Sequence, residues 1–98
     1  MKDGWFVGDF EPTALRTASC EVACKRYRRG ERQDRHVHRV AVEATLILGG
    51  RARMAGRVCD PGDVIVLDPG EATDFEALDD LMTVVVKIPS VKNDKFPT

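Results

Sequence analysis

Gly30-Glu31-Arg32-Gln33-Asp34-Arg35-His36-Val37-His38-Arg39-Val40-Ala41-Val42-Glu43, running on through Ala44-Thr45-Leu46-Ile47-Leu48-Gly49 to Gly50, is the stretch on which the reading of the fold turns. It holds both histidines of the chain, one residue apart in an otherwise extended segment. On a strand, residues i and i+2 share a face, so the imidazoles of His36 and His38 converge on one point, as metal ligands must. Two histidines on one strand face are also commonly just exposed or hydrogen-bonded, and the pair alone leaves both readings open. Glu43 follows His38 by five residues, an odd separation that puts it on the opposite face of a straight strand. It joins the histidines only if the chain bends or bulges between Arg39 and Val42.

Outward from this stretch the apolar pattern has period two or comes in short β-branched runs, punctuated by glycine and proline. The spacing predicts strands at about 19–27, 33–40, 43–48, 52–58, 64–67, 73–76 and 81–88. Turns are expected at Arg29-Gly30, Gly49-Gly50, Asp60-Pro61-Gly62-Asp63, Asp68-Pro69-Gly70 and Asp79-Asp80. The class is all-β, and strands so evenly spaced suggest a sandwich or barrel. Residues 11–18 are the one stretch that could pass for helix, weakened by Pro12 and two threonines. The tail at 92–98 is polar and is expected over the surface.

At 98 residues the chain has room for one domain. With 43% hydrophobic and 32% charged residues it collapses and stays soluble. Fifteen basic residues against sixteen acidic ones leave a net charge of -1, and the run Arg26, Arg28, Arg29, Arg32, Arg35, Arg39 is interrupted by Glu31 and Asp34. A solvated surface is therefore expected, and no nucleic-acid partner. No stretch reaches the roughly 18 apolar residues of a membrane span, and Met1-Lys2-Asp3-Gly4-Trp5 lacks the apolar region of a secretory signal, so no membrane association and a cytoplasmic location are expected. Cys20, Cys24 and Cys59 form an odd set without a Cys-x-x-Cys pair; reduced, buried thiols are the expectation, with Cys20 and Cys24 sharing a core-facing strand face with Val22.

The quoted stretch resembles the first motif of the cupin superfamily: a glycine, five residues, His-x-His, three or four residues, Glu, six residues and a glycine. Every fixed position is filled, by Gly30, His36, His38, Glu43 and Gly50. A second motif looks like Gly62-Asp63-Val64-Ile65-Val66-Leu67-Asp68-Pro69-Gly70-Glu71-Ala72-Thr73-Asp74-Phe75. The resemblance implies a double-stranded β-helix, the small jelly-roll barrel of the cupins. That barrel would be a single domain over 1–98, with motifs at 30–50 and 62–75 and an edge-covering segment at 1–18.

By the same resemblance His36, His38 and Glu43 would hold a divalent metal, Fe, Mn, Ni or Zn. Where the family carries a third histidine this chain has Thr73, whose neutral hydroxyl is a poor ligand. Three arrangements follow: a two-histidine, one-carboxylate face with open positions; a one-residue slip that brings Asp74 in as fourth ligand; or a metal-free polar pocket. Tyr27, Met54 and Phe75 are candidates to line the barrel mouth or pack the core. The functions implied are a metal-dependent oxygenase, isomerase or epimerase, or a module that binds a small polar metabolite such as a sugar or organic acid without turning it over. The apolar runs and the aromatic segment Trp5-Phe6-Val7-Gly8-Asp9-Phe10 suggest a homodimer.

Overall fold

Residues 2–97 are described by the computed structural model. Met1 and Thr98, the ends of the expected segment 1–18 and of the tail 92–98, lie outside them. Apart from a 3-10 turn at Lys2–Gly4, every regular element among the described residues is a strand: β1 (Trp5–Gly8), β2 (Leu15–Arg16), β3 (Glu21–Tyr27), β4 (Arg32–Val37), β5 (Val42–Gly49), β6 (Ala52–Met54), β7 (Arg57–Cys59), β8 (Val64–Leu67), β9 (Ala72–Ala77), β10 (Leu81–Ile88) and β11 (Phe96–Pro97). They form two sheets, ordered β2-β1-β3-β10-β5-β8 and β11-β4-β9-β6-β7, whose inner faces enclose the interior. The expected all-β barrel is the observed one.

Alternation decides which side chains enter. On β5, Glu43, Thr45 and Ile47 face in; on β10, Leu81, Thr83 and Val85 do, in register with Tyr27, Lys25 and Ala23 of β3. The interior is divided along its length. One end is an apolar cluster built on Ile47, Cys59, Leu67, Phe75 and Leu81, with Tyr27 packed against it. The other is polar, and holds buried His36, His38, Thr45, Thr73 and Thr83 beside Glu43.

Several expectations are corrected. The strand at 52–58 is a hairpin, β6 and β7, because Ala55 and Gly56 both take positive φ, 50° and 72°, the signature of a type I′ turn. The strand at 33–40 stops at Val37, so His38 stands just past its end. Residues 11–18 form no helix; Leu15–Arg16 runs parallel to β1, and the Thr13 hydroxyl donates to the Phe6 carbonyl. β1 pairs with β3, so the strand edge the amino-terminal segment occupies belongs to its own chain. The tail is part of the fold: β11 adds to β4, and Asp94 is buried at 8% exposure. Of the thiols only Cys59 is fully buried. Cys24 pairs with Val84 on the outer face of its sheet and is half-buried, as is Cys20, because the inward positions of β3 belong to Ala23, Lys25 and Tyr27.

Gly50, at φ 79°, closes the β5–β6 corner where a Cβ would stand 2.2 Å from the Asp80 carbonyl oxygen, so only glycine fits.

Candidate metal centre

His36 owes its inward direction to a bulge. Gln33 pairs with Phe75 and His36 with Thr73, so two residues of β4, Asp34 and Arg35, lie opposite the single Asp74 of β9. Three residues apart, Gln33 and His36 thereby share the inner face. The carbonyl of bulged Asp34 lies 3.0 Å from His36 Nδ1. A carbonyl only accepts, so Nδ1 carries the proton and Nε2 keeps its lone pair. Burial pulls the imidazole below its ordinary pKa, which favours that neutral form.

His38 is fixed by the tail. Its Nδ1 donates to the Asp94 carbonyl at 2.7 Å, again reserving Nε2. The Asp94 carboxylate accepts from the backbone N–H of Arg39 (3.0 Å), Val40 (3.1 Å) and Ala41 (2.9 Å), the segment that has to bend for Glu43 to join the histidines. On the other side, the Gly70 N–H of the Pro69-Gly70 turn donates to the His38 carbonyl at 2.8 Å. The bend expected between Arg39 and Val42 is present, and a residue more than fifty positions away holds it.

Past the bend, Glu43, the second residue of β5, lies in register with Lys87 of β10 and Leu67 of β8. Its Oε2 is 3.1 Å from His38 Nε2, and one ligand atom from each of His36, His38 and Glu43 lies within 4.8 Å of the others. The Glu43–His38 contact is an ion pair when His38 is protonated, and with His38 neutral Oε2 is buried without a hydrogen-bond partner among the described residues. Burial acts to raise the Glu43 carboxyl, yet His38, Lys87 and His36 outweigh it and hold the group below its ordinary value. Contact with Glu43 raises the His38 imidazole against the effect of burial.

Thr73 occupies the inward position opposite His36, but its hydroxyl is committed elsewhere. It donates to the Asp74 carbonyl at 2.7 Å and accepts from the Ala55 N–H at 3.1 Å, tying the β6–β7 hairpin to β9. Asp74 is exposed on the outer face, so the one-residue slip that would make it a ligand does not occur. Tyr27, Met54 and Phe75 both pack and line. The rings of Tyr27 and Phe75 lie 4.6 Å apart, and all three border a cavity of about 30 Å³ between the apolar cluster and the trio. Sequence reasoning missed Asp94, Thr45 and Thr83. The threonines were detectable as polar residues at inward positions of β5 and β10; Asp94 left no local signal.

The trio suits a divalent cation. With both Nδ1 atoms protonated, the Nε2 lone pair of a neutral His38 and a carboxylate oxygen of Glu43 stand 3.1 Å apart, where either a proton on Nε2 or a metal cation removes the repulsion. Two ligand atoms bound at right angles to one metal at about 2.1 Å each stand about 3 Å apart, close to the separation seen. An open-faced set of two imidazoles and a carboxylate is an established arrangement for such metals.

Two sheets closed over an inward histidine-glutamate cluster define the cupin double-stranded β-helix, and this chain has that fold. It is similar to the structure of KdgF from Halomonas sp. (TM-score 0.71, 21% identity, 79% of this chain and 76% of that one). It is similar also to an RmlC-like cupin from Desulfovibrio desulfuricans (0.67, 16% identity, 76% of each chain). A third likeness is to oxalate decarboxylase from Bacillus subtilis, a protein with Mn(II) centres (0.69, 19% identity, 83% of this chain but 24% of that one). The sequence matches no family model and no curated protein.

Proposed function

We propose that this chain binds one divalent metal, Fe, Mn, Ni or Zn, through His36, His38 and Glu43, and presents its open side to a small polar metabolite. The observation that carries the reading is the buried Oε2 of Glu43, without a hydrogen bond and aimed with two tautomer-fixed imidazoles at a common point. The Mn(II) centres of oxalate decarboxylase support it by analogy of fold. A metal held there would supply Lewis acidity to a ligand oxygen. The protein's part is to keep both Nε2 lone pairs available, through the Asp34 and Asp94 carbonyls, and to leave positions free where Thr73 contributes no ligand. A metal-free pocket is the weaker reading, because it leaves the buried Oε2 of Glu43 without a hydrogen-bond partner. In calorimetric titrations of untagged protein with Mn, Ni and Zn, one equivalent is expected to bind, and His36→Ala with His38→Ala to abolish binding. Equal binding by wild type and double variant would refute the reading.

We also infer that a second copy of the chain covers the outer face of the larger sheet. Two rows cross four strands there, Cys24-Val84-Leu46-Val64 and Val22-Val86-Ala44-Val66, with no charged residue in either. Val64 and Val66 are 58% and 55% exposed. Four strands at about 4.8 Å spacing and the three residues the rows span at about 3.4 Å make an apolar strip of roughly 200 Å². A face without charge is complementary to itself, which a two-fold interface requires.

A further inference from the structure

Among the described residues two buried side-chain oxygens lack a hydrogen-bond partner, Glu43 Oε2 and Thr83 Oγ1. A cation on the trio accounts for the first; nothing in the trio accounts for the second. Thr83 is 1% exposed, and its inward neighbours along β10, Leu81 and Val85, are apolar. A hydroxyl shut away from water without a partner is costly, and valine would fill the same space without that cost.

Thr83 borders the cavity of about 30 Å³ that also touches His36 and Glu43. Thr83 lies opposite Ile47 and Thr45 opposite Val85, so the two inward threonines are diagonal neighbours on β10 and β5, and Thr45 borders the same cavity. Diagonal pairs stand about 7–8 Å apart at Cα, a span that one oxygen can bridge with hydrogen bonds of about 2.8 Å to both hydroxyls. The cavity has room for an oxygen of that size.

The cavity offers an anion no partner. Among the described residues no lysine or arginine borders it. Lys25, the register partner of Thr83 on β3, is turned to the Trp5 ring, its Nζ 5.1 Å from the ring centre. Burial, reinforced by Glu43, raises the Tyr27 phenol and keeps it uncharged. A carboxylate or phosphate at Thr83 would be buried in one cavity with Glu43 and without a cation. A hydroxyl asks only for the donors and acceptors that threonine supplies.

We propose that Thr83 and Thr45 bind a hydroxyl group of the metabolite, so that the end of the ligand entering the cavity is an alcohol or polyol and not an acid. This rests on the reading of the barrel as a metabolite site and makes Thr83 the residue that selects a neutral ligand end there.

Threonine methyl groups report on the cavity, with Thr13 and Thr17 outside it as internal controls. Metal-free protein, isotope-labelled at its threonine methyls, is titrated by NMR with ethylene glycol and with acetate, molecules of equal heavy-atom number and different charge, and metal uptake is measured separately by calorimetry. Saturable shifts are expected at Thr83 and Thr45 with ethylene glycol and none at Thr13 or Thr17, with acetate about tenfold weaker or more. Thr83→Val, read at Thr45, should weaken ethylene glycol about fivefold or more, and Thr83→Ser, which keeps the hydroxyl, should restore most of the loss. Because the hydroxyl has no partner to lose, the Tm of Thr83→Val should be no lower than that of wild type. No saturable shift in wild type, acetate binding as tightly as ethylene glycol, or unchanged affinity in Thr83→Val overturns the proposal. So does a Tm lower by more than about 5 °C in Thr83→Val, which would make the hydroxyl a support of the fold. A shift in a protein that takes up no metal would sink the metal reading while leaving this one standing; metal uptake without a shift would do the reverse.

Discussion

Replacing Asp94 tests whether the tail builds the metal centre. Its carboxylate receives N–H bonds from Arg39, Val40 and Ala41, of which Ala41 is buried at 2% exposure while Arg39 and Val40 face solvent. In Asp94→Ala the buried N–H of Ala41 loses its acceptor, a loss of about 1–3 kcal/mol, and the two exposed donors turn to water at a smaller loss each. A total near 3 kcal/mol corresponds to a Tm lower by about 12–24 °C in a domain of this size. Because the bend also carries His38, affinity for Ni or Zn should fall about 10- to 100-fold although Asp94 touches no metal. Asp94→Asn, which keeps one acceptor oxygen, should fall between. Burial tends to raise the Asp94 carboxyl, but the N–H groups of Ala41, Arg39 and Val40 more than offset it and hold the group below its ordinary value. A depressed folded pKa contributes stability above the unfolded value, about 3.9, that is lost as pH falls through the folded one. Acid should therefore erode wild type more than Asp94→Asn between about pH 5 and the folded value. Thermal melts with and without metal, against pH, measure all of this. A Tm within 2 °C of wild type would refute the clamp, and a large drop with unchanged metal affinity would confine Asp94 to holding the fold.

Thr73→His places an imidazole opposite His36 and should raise affinity for Ni or Zn about tenfold by calorimetry, about 1.4 kcal/mol. The same change removes the acceptor for the Ala55 N–H, so the metal-free variant should lose about 1 kcal/mol in denaturant unfolding. Val64→Asp with Val66→Asp puts charge on the outer face, and sedimentation should shift from dimer to monomer with the β spectrum retained; a monomeric wild type would remove the interface. Gly50→Ala, strained by its φ of 79° and by contact with the Asp80 carbonyl, should lower Tm by more than 10 °C, whereas Gly62→Ala, with open space around its Cβ, should lower it less.

The strands that lie within one sheet and alternate cleanly could be read from sequence: 64–67 and 81–88 match β8 and β10 residue for residue. His36, His38 and Glu43 were recognisable because imidazoles are scarce in this chain and the spacing is specific. The bulge at Asp34 and Arg35 was not, since Arg32 to Arg35 is a polar run in which alternation has nothing to mark. The thiols were put on the wrong face for the opposite reason. Both faces of β3 carry apolar residues, so parity could not say which is inside. Ala55 at positive φ went unnoticed because alanine rarely adopts it, and Asp94 because its partners are distant in the chain.

The division of the interior between an apolar end and a polar end has an evolutionary consequence. Core volume, on which folding chiefly depends, is concentrated around Ile47, Cys59, Leu67, Phe75 and Leu81, whereas Thr45, Thr73 and Thr83 contribute hydroxyls at the other end. Substitutions among those threonines can alter ligand set and specificity while the apolar end keeps the barrel above its stability threshold. The chain is in that sense evolvable, with a different side chain at position 73 one substitution away on an unchanged scaffold.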